Sequence, residues 1–371
     1  MRVRYIAPFG CSTGYAVAAA NNAVALSKAG VEVSLRYLGE RVPGWLPPKL
    51  AGELEALPEH DDEVDATILH APLGPAVEEL AVPGALLYTT WETSRVPEEY
   101  ERKAWAAYLD VAVPSRFSAS AFRDPVTVIP HCFDPEEITP LPPPTTDEYV
   151  FYAIGAWEPR KNLIGVITAY LCEFTNEDRV LLRVHTDDTL DVDWLSLYVR
   201  HALNLDPATL PALRITTGCV GYETIRRIHA EGRCYVSASR GEAWDLACFE
   251  ALAHARVTIV PGGQGPGTYL GGLGYGASRT PAAVAMSLRD VDGERAVSRL
   301  APRGVDARQN WYEPDLRLFM QVMRSVYCDG QKRWHANLSW VPERFSHSVV
   351  GPTLRRWVEA NSNSKESDVG D

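Results

Sequence analysis

Two carboxylates, Glu242 and Glu250, stand with seven residues between them where an apolar run gives way to a helical pattern. Residues 235–236 read as the end of a buried strand, 239–242 as a tight polar turn, and 244–253 as a helix with apolar residues at helical spacing. A helix start leaves backbone N–H groups unpaired and carries the positive end of the dipole, so it can hold a phosphate without a basic side chain. Eight helical positions rise about 12 Å and rotate about 80°, which puts both carboxylates on one broad face, on either side of that phosphate. A carboxylate beside a phosphate is repelled unless it accepts hydrogen bonds from something else, and neighbouring hydroxyls of a sugar are suitable donors. The pattern predicts sugar, diphosphate and ribose in that order.

Other candidate groups follow from strand ends. Residues 3–6, 31–37, 66–69 and 85–88 read as strands, the last two ending at His70 and at Trp91 and Glu92. Functional groups of open α/β sheets gather beyond the carboxyl ends of their strands. Trp91 and Glu92 offer an aromatic face for a sugar and an acceptor for its hydroxyl, and His70 is a second candidate on the acceptor side. The first strand runs into a loop of small residues ending at Gly14 and Tyr15, then an Ala-rich helix, 16–29, stopped by Gly30. Its glycines do not fit the dinucleotide fingerprint, so no nicotinamide cofactor is inferred.

Glu242, Glu250 and the Ala251, Leu252 and Ala253 that follow resemble the Glu-x7-Glu signature of retaining glycosyltransferases with the GT-B fold, most closely the family 4 type. Residues 126–134 resemble the strand that closes the family's first domain, with Cys132 in place of the usual glycine. Gly155 and Lys161 match a motif directed at the donor diphosphate, with Ala156 where arginine is frequent and Arg160 as the replacement guanidinium. Two cations there stabilise the negative charge that develops on the departing diphosphate. The resemblance covers about residues 14–360. It implies an α/β chain of two Rossmann-like domains facing across a cleft, with a last helix crossing back to the N-terminal domain.

By this resemblance Glu242 binds the donor sugar, Glu250 the ribose, and Arg160 and Lys161 the diphosphate; with Glu92 on the sugar, Glu242, Lys161 and Arg160 form the expected catalytic set. Gly14 and Tyr15 form the tip of a loop opposite the donor phosphates, and Val220 and Gly221 lie by the nucleotide base. Where the family commonly has Gly-Phe-Gly, this chain has Ala243, Trp244 and Asp245 at the donor phosphates. The expected co-substrate is a UDP- or GDP-sugar, the acceptor an unidentified hydroxyl, and no metal or other cofactor is expected. A nucleotide-sugar epimerase and a catalytically silent sugar-nucleotide or glycan binder stay open as alternatives. Asp191 and Asp193 have the Asp-x-Asp form that metal-dependent GT-A enzymes use, but their setting reads as a loop and helix cap.

The 371 residues are 46% hydrophobic and 23% charged, ordinary for a two-domain globular chain. A formal charge of -12 argues against a dedicated nucleic-acid binder, while leaving room for a local basic groove and a modified base as acceptor. Seven scattered cysteines without metal-ligand spacing read as reduced thiols of a cytoplasmic protein. No segment reaches the roughly 20 apolar residues of a spanning helix, which leaves peripheral membrane contact open. The Pro-rich stretch 141–148 is the expected linker between an acceptor domain, 1–140, and a nucleotide-sugar domain, 149–343. A helix over 344–360 is expected to pack back on the first domain, ahead of a disordered tail, 361–371.

Overall fold

The computed structural model describes residues 1–59, 63–74, 80, 82–187, 195, 197–270, 283–287, 309–329 and 340–362. The chain divides into two compact units, one built on Met1–Ile138 and the last helix, the other on Thr139–Met286. Each has its own apolar core and a parallel sheet.

The first sheet contains β1 (Arg2–Ala7), β2 (Glu32–Tyr37), β3 (Ala66–His70), β4 (Ala85–Tyr88), β5 (Tyr108–Val113) and β6 (Thr127–Val128) in the order β2-β1-β3-β4-β5-β6. β4 is buried at all four positions, as expected of a parallel strand covered on both faces. Helix α1 (Gly14–Lys28) starts where the Thr13 side chain accepts a bond from the Ala16 N–H, and it ends just before Gly30, whose φ of +85° favours glycine. Pro48–Glu55 (α2) and Glu98–Ala107 (α3) complete the longer helices of this segment.

The second sheet contains β7 (Tyr149–Ile154), β8 (Val180–Thr186), β9 (Ala212–Thr217), β10 (Cys234–Val236) and β11 (Val257–Ile259) in the order β11-β10-β7-β8-β9. Helices α4 (Leu163–Glu173), α5 (Tyr222–Glu231), α6 (Leu246–Ala253) and α7 (Leu316–Asp329) accompany it. Because β7 and β10 are neighbours, the loops leaving their carboxyl ends emerge side by side.

The last helix, α8 (His347–Ser362), lies on α1 in the first unit. Gly351 lets the backbones close, since a Cβ there would strike the Ala25 carbonyl oxygen. The Trp357 indole N–H donates to Asp110 Oδ2 at 2.7 Å, and Arg355 Nη1 to the Ala29 carbonyl at 3.0 Å. Asp134, Glu53 and His347 come close enough to suggest a metal cluster, but the ammonium of Lys28 lies 2.7 Å from Glu53 and 3.3 Å from Asp134.

The Pro-rich stretch is carried by the second unit. His254 Nδ1 bonds the Thr139 carbonyl at 2.7 Å, Arg256 Nη2 the Pro142 carbonyl at 2.8 Å, and Arg233 Nη2 the Thr146 carbonyl at 2.6 Å. Cys132 keeps a negative φ, so the residue standing where the family has glycine is unstrained. α8 extends to Ser362, one residue past the expected start of the tail; 363–371 and the Asp191 and Asp193 pair lie outside the described residues. Among the described residues no helix is long and apolar enough to cross a membrane.

Candidate functional site

In the second unit, the loops after β7 and β10 bring Lys161, Arg160 and Glu242 together. Asn162 enters the left-handed region at φ +50° and sends its side-chain amide to the Ala238 carbonyl at 2.9 Å, locking one loop to the other. The Arg160 carbonyl accepts from the Arg240 N–H at 2.7 Å and from Ser239 Oγ at 3.1 Å. This framework aims Lys161 Nζ at Glu242 Oε1, 2.7 Å away, and Arg160 Nη1 at Glu242 Oε2, 3.4 Å away. Arg160 also donates to the Gly241 carbonyl at 2.8 Å and to Glu158 Oε1 at 2.6 Å. Burial pushes the Glu242 carboxyl upward, but the Lys161 and Arg160 charges outweigh it and hold the group below the usual range. Glu242 is therefore an ionised carboxylate only 4% exposed, flanked by two cations.

The Gly-rich loop 261–269 backs this turn. The Gly265 N–H donates to the Glu242 carbonyl at 2.8 Å, and a Cβ on Gly265 would strike the Ala243 carbonyl oxygen. Its glycine thus serves close approach to the turn's own backbone. Tyr269 donates its hydroxyl to the Trp244 carbonyl at 2.7 Å, and its ring packs with those of Trp244 and Phe249. Trp244 is a core residue, 2% exposed, and Ala243 is buried beside it.

The helix after the turn differs from expectation. It begins at Leu246, so Glu242 lies in the loop and the rise and rotation calculated for eight helical positions do not apply. Its amino terminus carries the chain's own anion. Asp245 sits in the left-handed region at φ +63°, accepts from the Cys248 N–H at 3.2 Å and from the Tyr235 hydroxyl at 3.1 Å. Burial and then the charge of Glu242 raise the Asp245 carboxyl to about 6. Two adjacent acids are thus driven apart, one held ionised and one moved towards neutrality.

Glu250, in the second turn of α6, does not join the Lys161, Arg160 and Glu242 group; its Oε2 lies 3.5 Å from Nε2 of His229, a residue the sequence did not single out. Val220 and Gly221 lie at the start of α5, after β9, at the same carboxyl edge of the sheet.

The first unit gathers a different set. His70 is wholly buried at the end of β3; its Nδ1 lies 2.9 Å from the Tyr5 hydroxyl and its ring 4.4 Å from that of Tyr88. Burial, then the neighbouring His131, pushes its pKa well below the ordinary value, so it is a neutral imidazole. The Tyr15 ring meets His70 edge-on at 5.8 Å, and its hydroxyl hydrogen-bonds Thr90. Burial and the charge of Glu92 raise the Tyr15 phenol to about 12, and Glu92 is half-buried; α3 starts at Glu98, and its cap residue Pro97 makes no side-chain cap. Gly14 opens α1 beside Tyr15. Trp91 does not offer a face: it is 6% exposed in the core, and its indole N–H donates to Thr93 Oγ1 and the Arg95 carbonyl, each at 2.8 Å.

No family model matches this sequence, and no curated protein does. Solved structures do match in fold. HepE of Anabaena in complex with UDP-glucose superposes with a TM-score of 0.65 at 12% identity, covering 97% of this chain and 100% of that one. The chain carries the GT-B fold. A glycosyltransferase from Rickettsia africae shares that GT-B arrangement over 98% of each chain, with a TM-score of 0.56 at 14% identity. Sucrose-phosphate synthase from Thermosynechococcus elongatus does so over 97% of this chain and 98% of its own, with a TM-score of 0.59 at 12% identity.

Proposed function

We propose that this chain is a retaining glycosyltransferase that moves a sugar from a nucleotide diphosphate sugar, UDP-linked in the first instance, to a hydroxyl acceptor without a metal. The observation that carries the reading is the convergence of Lys161 and Arg160 on ionised Glu242 in a GT-B fold. The UDP-glucose in the HepE structure supports UDP as the first donor to test.

In this reading Lys161 and Arg160 neutralise the diphosphate as the glycosidic bond breaks, a charge that metal-dependent enzymes leave to an ion. Glu242 holds both cations in place before the donor arrives and accepts hydroxyls of the donor sugar. Glu250 takes the ribose hydroxyls, and Val220 and Gly221 border the base. The departing phosphate takes the acceptor's proton on the face from which it leaves, so the anomeric configuration is kept. The first unit is given the acceptor, with Glu92 and His70 as its groups; His70, being neutral, acts there as a hydrogen-bonding group.

The test is a thermal-shift screen of UDP, GDP, ADP and TDP and their sugar conjugates, with and without a divalent metal. A ligand at about 100 times its dissociation constant stabilises the native state by about 2.7 kcal/mol. Stabilisation by one nucleotide family without metal, lost in Lys161→Ala, supports the reading. Nuclear magnetic resonance of the product's anomeric proton then tests retention.

A further inference from the structure

His229 is wholly buried, yet its ring abuts a carboxylate. The residue lies on α5, is 0% exposed, and presents Nδ1 to the Tyr152 hydroxyl at 2.9 Å and Nε2 to Glu250 Oε2 at 3.5 Å. Burial raises the Tyr152 phenol well above its ordinary value, so its hydroxyl keeps a proton that it can give to Nδ1. A neutral imidazole that accepts at Nδ1 carries its own hydrogen on Nε2, the nitrogen facing Glu250.

The ring is fixed from several sides. The Tyr152 ring meets it edge-on at 5.4 Å, and Tyr152 has room there because Gly232 lacks a Cβ that would enter the phenol ring. Arg256 Nε donates to the His229 carbonyl at 2.8 Å, anchoring the end of α5. A buried imidazole N–H needs an acceptor, and a carboxylate held by one donor retains lone pairs for others. Among the described residues, Glu250 Oε2 is the carboxylate oxygen within 4 Å of His229 Nε2, which is buried and makes no hydrogen bond there.

We propose that His229 is the positioning residue for Glu250: its Nε2–H holds one carboxylate oxygen so that the remaining lone pairs meet the two neighbouring hydroxyls of the donor's ribose. This rests on the donor reading above and adds the group that orients its ribose contact. Tyr152 fixes the tautomer, and Gly232 makes room for Tyr152. The closing of the 3.5 Å approach to a charge-assisted bond of about 2.8 Å accompanies ribose binding.

The experiment is calorimetric titration of the full chain with UDP and with 2′,3′-dideoxy-UDP, in the wild type, His229→Phe and His229→Gln. The wild type is expected to prefer UDP by about tenfold or more, the scale of hydrogen bonds to a charged group. His229→Phe is expected to lose that preference, weakening UDP about tenfold while leaving the dideoxy nucleotide unchanged; His229→Gln restores a donor and the preference. A merely structural role would weaken both nucleotides alike. If His229→Phe does not fold, Tyr152→Phe, which removes the donor to Nδ1, is expected to reduce the preference a few-fold. The inference is overturned if UDP binds the wild type and the preference is absent, or survives in His229→Phe and Tyr152→Phe. If neither nucleotide binds the wild type, the donor reading falls, and the inference with it.

Discussion

Lys161 Nζ and Glu242 Oε1 meet at 2.7 Å across 81 residues of sequence. β7 and β10 are adjacent in the second sheet, so the loops at their carboxyl ends meet, and Asn162 ties one to the other. The pair is a product of sheet order, and it carries the chemistry proposed for the donor.

Removing the charge from Glu242 breaks that arrangement. Glu242→Gln keeps the shape of the side chain and leaves Lys161 and Arg160 without their shared anion. Turnover of the donor, followed as sugar transfer or slow hydrolysis, is expected to fall by about 10²–10³, the cost of losing one preorganised electrostatic contact. The circular dichroism spectrum is expected to stay that of the wild type. Unchanged turnover would remove Glu242 from the site.

Asp245 makes stability fall with pH. Its carboxyl stands at about 6 in the folded chain against a reference value of 3.8, so the folded state binds the proton more tightly. The stabilising contribution is complete below about pH 4, is lost as pH rises through 6, and stays lost above it. At about 1.4 kcal/mol per pKa unit, the change approaches 3 kcal/mol. Asp245→Asn is expected to abolish this slope: relative to the wild type, its urea midpoint rises between pH 5 and pH 8. A constant difference over that range would contradict the assignment.

Gly232→Ala tests packing alone. The φ of Gly232 is -81°, which any residue adopts, but a Cβ there would enter the Tyr152 ring. Overpacking of this kind costs about 1–3 kcal/mol. Denaturant unfolding is expected to show that loss, and Tyr152→Leu in the same chain to recover part of it. An additive pair would mean that the cost of Gly232→Ala does not come from the Tyr152 ring.

Much of the fold was legible because parallel strands buried on both faces are written as short apolar runs, as at Ala85–Tyr88 and Tyr149–Ile154. Gly30 was legible as well, by conformation. At the candidate site, Lys161 and Glu242 were singled out through the family resemblance, and the structure brings the two together. Trp91 was misread because an aromatic beside a carboxylate has the same local sequence whether its face is open or, as here, packed in the core. The helix start at Leu246 was missed because Asp245 takes a left-handed φ, and that conformation leaves no mark in hydrophobic spacing. His229 had one sequence signal: it falls seven residues after Tyr222, on the apolar face of α5, where a titratable side chain needs a buried partner.

The stretch from Thr139 to Thr146 has one more consequence, for handling the protein. Proteases need a segment they can lift into their own cleft, and an exposed, proline-rich run between two units is where a first cut is ordinarily sought. Here Arg233, His254 and Arg256 grip its carbonyls from the second unit. The run is a strap riveted down at intervals, so limited digestion aimed at separating the halves is expected to leave it intact.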